Sequence, residues 1–141
     1  MKKRFDQYRE TQIKTASPGR LLLMLYDGAI RFLNQSINAL ESEPKDLEKA
    51  HNNIIKVQNI IMELTVTLDR KKGGDIAENL SDLYTFMKNH LVEANCRKEA
   101  DYCYEIRDLM TELRDAWREV VAKEEGSDTP AEIPGKLNLK G

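Results

Sequence analysis

Seven apolar residues, Leu47, Ala50, Ile54, Val57, Ile61, Leu64 and Leu68, recur at alternating spacings of three and four without a break. A strand repeats every two residues, so this pattern admits only a helix with one face buried along its length. A heptad seam of this kind has to be covered by other helices. The predicted helix runs from about Pro44 to Arg70. Lys71 and Lys72 suit its C-terminal end, and Gly73-Gly74 break the chain behind it.

Three further helical patterns supply the cover. The first spans about Pro18 to Glu41, with Ser17 as its cap and Pro18 in its first turn. Leu23, Tyr26, Ile30, Leu33, Ile37 and Leu40 form its seam, and Leu22, Leu25, Ala29 and Phe32 add a second stripe. A third helix is expected to start at Asp75, with Glu78 completing a capping box, and to bury Ile76, Leu80, Leu83, Met87, His90 and Ala94. The fourth runs from about Lys98 to Lys123 with Cys103, Ile106, Met110, Leu113, Trp117 and Val120 inward. No β pattern competes. Helices of this length joined by short loops alternate in direction. The expected fold is all-α, an antiparallel up-down-up-down four-helix bundle over residues 17–123. An N-terminal lid-like segment, 1–16, precedes it, and a tail expected to be disordered, 124–141, follows it.

Composition narrows the function. The net charge of -2 argues against nucleic-acid binding, which needs a basic face. No apolar run approaches the roughly 20 residues of a membrane span, so no membrane insertion is expected. Lys2, Lys3 and Arg4 are followed by Asp6, Arg9 and Glu10 rather than by the apolar stretch of a signal peptide, which points to a bacterial-type cytoplasm. Cys96 and Cys103 fall about two turns, or roughly 10 Å, apart on a helix, beyond disulfide reach, and are expected to be free thiols. A ferritin-like di-iron centre needs Glu-x-x-His on two helices. Glu48 and His51 supply it once, and His90 and Glu93 stand in the reverse order. His51 also lacks the basic neighbour and nearby glycine expected of a phosphotransfer histidine. With no nucleophile constellation and no phosphate-binding glycine loop, neither an enzyme nor a cofactor is expected.

One feature of the second helix does not fit a self-sufficient bundle. At 100° per residue, Ile55, Met62 and Val66 cluster on nearly the opposite side from the seam, with Asn59 among them and His51, Asn52 and Gln58 beside them. Phe86 and Val92 also lie off the seam of the third helix. Either residues 1–16 cover this face, or these are isolated exposed apolar residues without a role, or the face docks an external helix or a second copy of the chain.

Several blocks carry a family resemblance. They are Tyr8, Ile13, Thr15-Ala16-Ser17-Pro18-Gly19 and Leu23-Met24-Leu25-Tyr26-Asp27-Gly28. Lys56-Val57-Gln58-Asn59-Ile60-Ile61-Met62-Glu63-Leu64 follows, with Leu68-Asp69-Arg70. Leu91-Val92-Glu93-Ala94-Asn95 and Arg114-Asp115-Ala116-Trp117 complete the set. In order and spacing the chain resembles the FliS family of flagellar secretion chaperones. Phe5 stands where many relatives have Tyr, and the tail from Ile133 to Leu139 matches nothing in the family pattern.

The resemblance implies a non-enzymatic cytoplasmic chaperone. Its partner is the C-terminal segment of flagellin, which folds on binding, and the complex is presented to a component of the flagellar export gate. On the residue pattern, Ile55, Gln58, Asn59, Met62 and Val66 are the main candidate partner-binding residues, with Leu22 and Leu25 at a groove edge and Tyr84 and Leu91 beside them. Phe5, Tyr8 and Ile13 are the expected anchors of the lid, and a monomer or weak dimer is expected without client.

Overall fold

The computed structural model describes residues 17–126, apart from the side chain of Arg70. They form four helices and, among the described residues, no strand: α1 (Pro18–Glu41), α2 (Leu47–Val66), α3 (Arg70–Arg97) and α4 (Ala100–Glu125). Three of the four starts are fixed by a short polar side chain. The Ser17 hydroxyl accepts the Arg20 N–H at 3.2 Å, and the carboxylates of Asp46 and Asp69 accept the Lys49 and Lys72 N–H groups at 3.1 Å each. Each cap satisfies one of the amide hydrogens that a first turn leaves free.

Polar links between the ends give the direction of each helix. Arg20 at the start of α1 meets Glu125 at the end of α4. The Tyr104 hydroxyl near the start of α4 donates to Glu41 at the end of α1 at 2.8 Å. Asn95 near the end of α3 donates to His51 Nδ1 near the start of α2 at 2.9 Å. Neighbouring helices are therefore antiparallel. α1 packs on α2 and α4, and α3 packs on the same two. The result is the expected four-helix bundle.

The element ends differ from the sequence reading in α2, α3 and α4; α4 spans Ala100–Glu125, so Glu124 and Glu125, expected to open the tail, are its last residues. α2 starts at Leu47, because the Asp46 carboxylate caps better than the turn around Pro44, and it ends at Val66. Leu68 still packs against the core, but from the connecting turn. α3 begins at Arg70 under the Asp69 cap rather than at Asp75. The glycine break survives as a kink: Gly74 has φ 52° and ψ -130°, a backbone conformation that only glycine adopts without strain.

The seams of α1, α2 and α4 lie where their periodicity puts them, apart from half-buried Ile30 in α1, exposed Leu47 in α2 and Val121 replacing Val120 in α4. That of α3 is rotated. Its buried positions are Ala77, Leu80, Tyr84, Met87, Leu91 and Ala94, whereas the expected series took Ile76, Leu83 and His90 in place of Ala77, Tyr84 and Leu91. Both series alternate three and four, and they share Leu80, Met87 and Ala94. The tyrosine hydroxyl decides between them. Tyr84 Oη lies 2.5 Å from Tyr26 Oη of α1, both rings fully buried, so a buried polar group finds its partner across the bundle. His90 sits at the α3–α4 edge instead, half-buried between Phe86 (ring centroids 5.0 Å) and Tyr102 (4.8 Å). Its Nε2 lies 2.7 Å from a Glu105 carboxylate oxygen, in a geometry that lacks the direction of a hydrogen bond.

Two outcomes check this core. Leu91→Ala is expected to cost about 2–5 kcal/mol of stability and Leu83→Ala clearly less, read by urea denaturation. Equal losses would restore the other seam. Burial pushes the Tyr26 hydroxyl up to about 12, against the opposing contacts of Tyr84 and Trp117. Tyr84 is raised as well, by burial and then by Tyr26. In the unfolded chain both ionise near 10. The folded protein keeps protons that the unfolded chain loses, so stability is full below about pH 10 and falls as pH rises through the folded values. The urea midpoint should hold up to about pH 10 and drop as pH rises from there toward 12, and less steeply in Tyr84→Phe.

Candidate functional site

α2 buries Ala50, Ile54, Val57, Ile61 and Leu64 and turns the opposite face outward. Along that face the spacing His51, Ile55, Gln58, Met62, Val66 keeps one stripe in line. Met62 is 63% exposed and Val66 77%, and Ile55 is 37% exposed. Three apolar side chains this open, in one row, are more than the scattered exposure of an ordinary surface. Gln58 is half-buried beside the row, and Asn59 is exposed.

Antiparallel packing sets α3 alongside. His51, Gln58, Val92, Asn95, Cys96 and Lys98 line one open cleft between the two helices, and Val92 is 45% exposed. Asn95 holds this end closed by its bond to His51 and by accepting a hydrogen bond from Lys98 Nζ. The Lys45 ammonium donates to the Lys98 carbonyl at 2.9 Å. The surface is thus an apolar row flanked by amides, with cations at one end. It suits the apolar face of an amphipathic helix, whose own polar edges find hydrogen-bond partners at the rim.

The candidate residues fall in three places. Ile55, Gln58, Asn59, Met62 and Val66 share the outer face of α2. Leu22, Leu25 and Tyr84 meet elsewhere, around an apolar cavity of about 370 Å³ at the end of the bundle where α1 begins and α4 ends. Leu91 stands apart, fully buried in the core. Tyr84 and Leu91 therefore present no free outer surface, because they are the inward positions of the rotated α3 seam. Phe5, Tyr8 and Ile13 lie outside the described residues.

The cavity itself was not anticipated. Trp117, Val120 and Val121 of α4 and Ala77 and Leu80 of α3 complete its walls. One sequence signal bears on it. Gly19 allows α1 and α4 to approach at this end, since a Cβ there would stand 2.9 Å from a Val121 methyl. Asp69 and Glu124 also line the cavity, and burial followed by the neighbouring Glu125 raises the Glu124 carboxyl above its ordinary range. Arg20 spans to Glu125 with two hydrogen bonds, 2.7 and 2.6 Å.

Among the described residues no three His, Cys, Asp or Glu side chains come together as a metal site. Both cysteines are free, Cys96 exposed and Cys103 buried, and burial pushes the Cys103 thiol up to about 11. None of the described helices is long and apolar enough to cross a membrane.

Comparison with known proteins places this architecture. A family model, flagellar protein FliS, matches residues 1–124. The chain is 34% identical over 120 residues to the flagellar secretion chaperone FliS of Bacillus subtilis, covering 85% of this chain and 87% of that one. It is 36% identical over 115 residues to the chaperone of the same name from Salmonella typhimurium, covering 81% and 84%. Against that of Campylobacter jejuni it is 35% identical over 116 residues, covering 82% and 89%. The chain therefore belongs to the FliS family of flagellar secretion chaperones, a family of chaperones and not of enzymes.

Proposed function

We propose that this chain is a cytoplasmic export chaperone that binds the C-terminal region of flagellin, keeps it from polymerising early and supports its delivery to the flagellar type III export apparatus. The observation that carries the reading is the row Ile55, Met62, Val66, exposed on a helix whose opposite face already fills the core. A client that is unfolded until it binds has an ordering cost, which a long apolar surface offsets. Burying roughly 1,000 Å² of apolar area contributes on the order of 25 kcal/mol gross, most of it cancelled by ordering and association. A long, shallow groove between α2 and α3 serves this better than a single deep pocket.

Residues 1–16 are the second part of the proposal. They join α1 at Ser17, and the end of α2 meets Pro18 and Gly19 around the same cavity. Phe5, Tyr8 and Ile13 are the proposed apolar anchors of this segment over the row. A tethered lid competes at an effective concentration near millimolar, enough to shield the row and weak enough to yield to a tighter client. The competing reading, a homodimer through the same face, is favoured by the same exposure. It separates from the first by mass measurement, since a client-specific face gives one chaperone per client.

Calorimetry with the C-terminal segment of the cognate flagellin is expected to show near-equimolar binding with a large negative heat-capacity change. Met62→Asp should weaken that binding at least tenfold while far-UV circular dichroism and thermal stability stay close to the parent. Binding unaffected by the aspartate would remove the α2 face from the account. Deleting residues 2–14 should tighten client binding or promote self-association, and a deletion that changes neither rules out the lid.

A further inference from the structure

Two cations converge on one ring at the outer edge where α1 meets α2. The Arg31 guanidinium lies 4.9 Å from the centroid of Phe32, and the Lys56 ammonium lies 5.1 Å from it. Among the described residues neither meets a carboxylate, whereas Arg20, Arg97, Arg107 and Arg114 each do. The sequence around them gives the reason. Within one turn of Lys56, from Asn52 to Ile60, α2 carries no acid. Within one turn of Arg31 the acid is Asp27, and its carboxylate is taken by Arg114 at 3.2 Å. Like charges gathered in this way repel, and the face of the ring offsets part of that repulsion. A carboxylate brought to the edge of Phe32 gains from both cations at once.

The pair borders the outer face of α2. At 100° per residue, Asn59 and Asn52 lie between the row Ile55, Met62, Val66 and Lys56, on the side of α1. A helix is about 10–12 Å across with its side chains. One seated on the row therefore covers these amides and brings one of its edges to Arg31 and Lys56. Its other edge faces Gln58, His51 and Asn95 on the side of α3. There the ammonium groups of Lys98 and Lys45 are already engaged, with Asn95 and with the Lys98 carbonyl. The two edges of the face thus differ: free cations on the α1 side, amides and bonded cations on the α3 side.

We propose that Arg31 and Lys56 read the charge of the docked client, selecting an amphipathic helix that carries Asp or Glu along one edge of its apolar face. This inference rests on the client reading and deepens it. Turning such a helix end for end would carry its acids to the amide side, so the pair also sets the direction in which the client lies on α2.

The experiment measures binding of the C-terminal segment of the cognate flagellin to the full-length protein by calorimetry, in about 0.01 M and about 1 M salt, where charges are screened over roughly 30 Å and roughly 3 Å. The joint change Arg31→Gln with Lys56→Gln should weaken binding about three- to tenfold at low salt, the size of two exposed ion pairs. At high salt it should bind like the parent. Arg31→Lys and Lys56→Arg should each stay within about twofold of the parent at both. Both positions border solvent, so circular dichroism of the variants should match the parent. Equal binding of parent and glutamine variant at low salt overturns the proposal, and so does a loss of the same size at both salts. If Met62→Asp weakens binding while the glutamine pair does not, the client reading stands and the charge reading falls. If the parent itself does not bind the segment, both fall. Tighter binding by the glutamine variant also overturns the proposal, and it points to Asp6 or Glu10 of residues 1–16 as the acids that meet the pair.

Discussion

The hydroxyl bond between Tyr26 and Tyr84 is the constraint on which the arrangement of the bundle turns. α1 and α3 are diagonal neighbours, each packed mainly on α2 and α4, and this bond crosses the diagonal at 2.5 Å. Two tyrosines buried to this degree are best satisfied by each other, since a lone hydroxyl in the core costs about 1–3 kcal/mol. Pairing them sets the rotation of α3. Leu80, Met87 and Leu91 then face inward, while Phe86 and Val92 are left partly open.

That rotation has consequences for the surface. With α3 seated on Tyr84, the face of α2 bearing Ile55, Met62 and Val66 is left without a helix of its own bundle to cover it. The core of α2 is complete on the other side. Changes on the outer face therefore have little bearing on folding, and selection there is free to answer to a partner. On the proposed reading, this division explains how a small domain keeps a stable fold and also displays a long apolar row. The polar flank of His51, Asn95 and Lys98 at one end of the groove limits how far an apolar helix slides along it.

Much of this architecture was legible from periodicity and caps. Ser17 announced the start of α1, and the seam Ala50, Ile54, Val57, Ile61, Leu64 announced α2 and its buried side. The outward row of α2 was legible by the same rotation arithmetic. Two things were not. The seam of α3 was ambiguous because two series with the same spacing share Leu80, Met87 and Ala94, and only a long-range partner, Tyr26, separates Tyr84 from Leu83. Tyr84 and Leu91, named as partner-binding candidates, are inward positions of the observed seam. The cavity at the bundle end was hidden for a related reason. It forms from the ends of four elements, from Leu22 to Trp117, whose meeting is a tertiary fact with no local periodicity behind it. The start of α3 was read at Asp75 because the Gly73-Gly74 pair looked like a full break. The Asp69 cap instead carries one helical turn before the kink at Gly74.

The central claim is that the client lies on the outer face of α2 and not elsewhere on the bundle. Site-specific photo-crosslinking tests it most directly, with the reactive residue placed at Met62 in one protein and at Arg118, an exposed position on α4, in another. The account predicts efficient crosslinking of the flagellin C-terminal segment from position 62 and none above background from position 118. Crosslinking from 118 with none from 62 would contradict it.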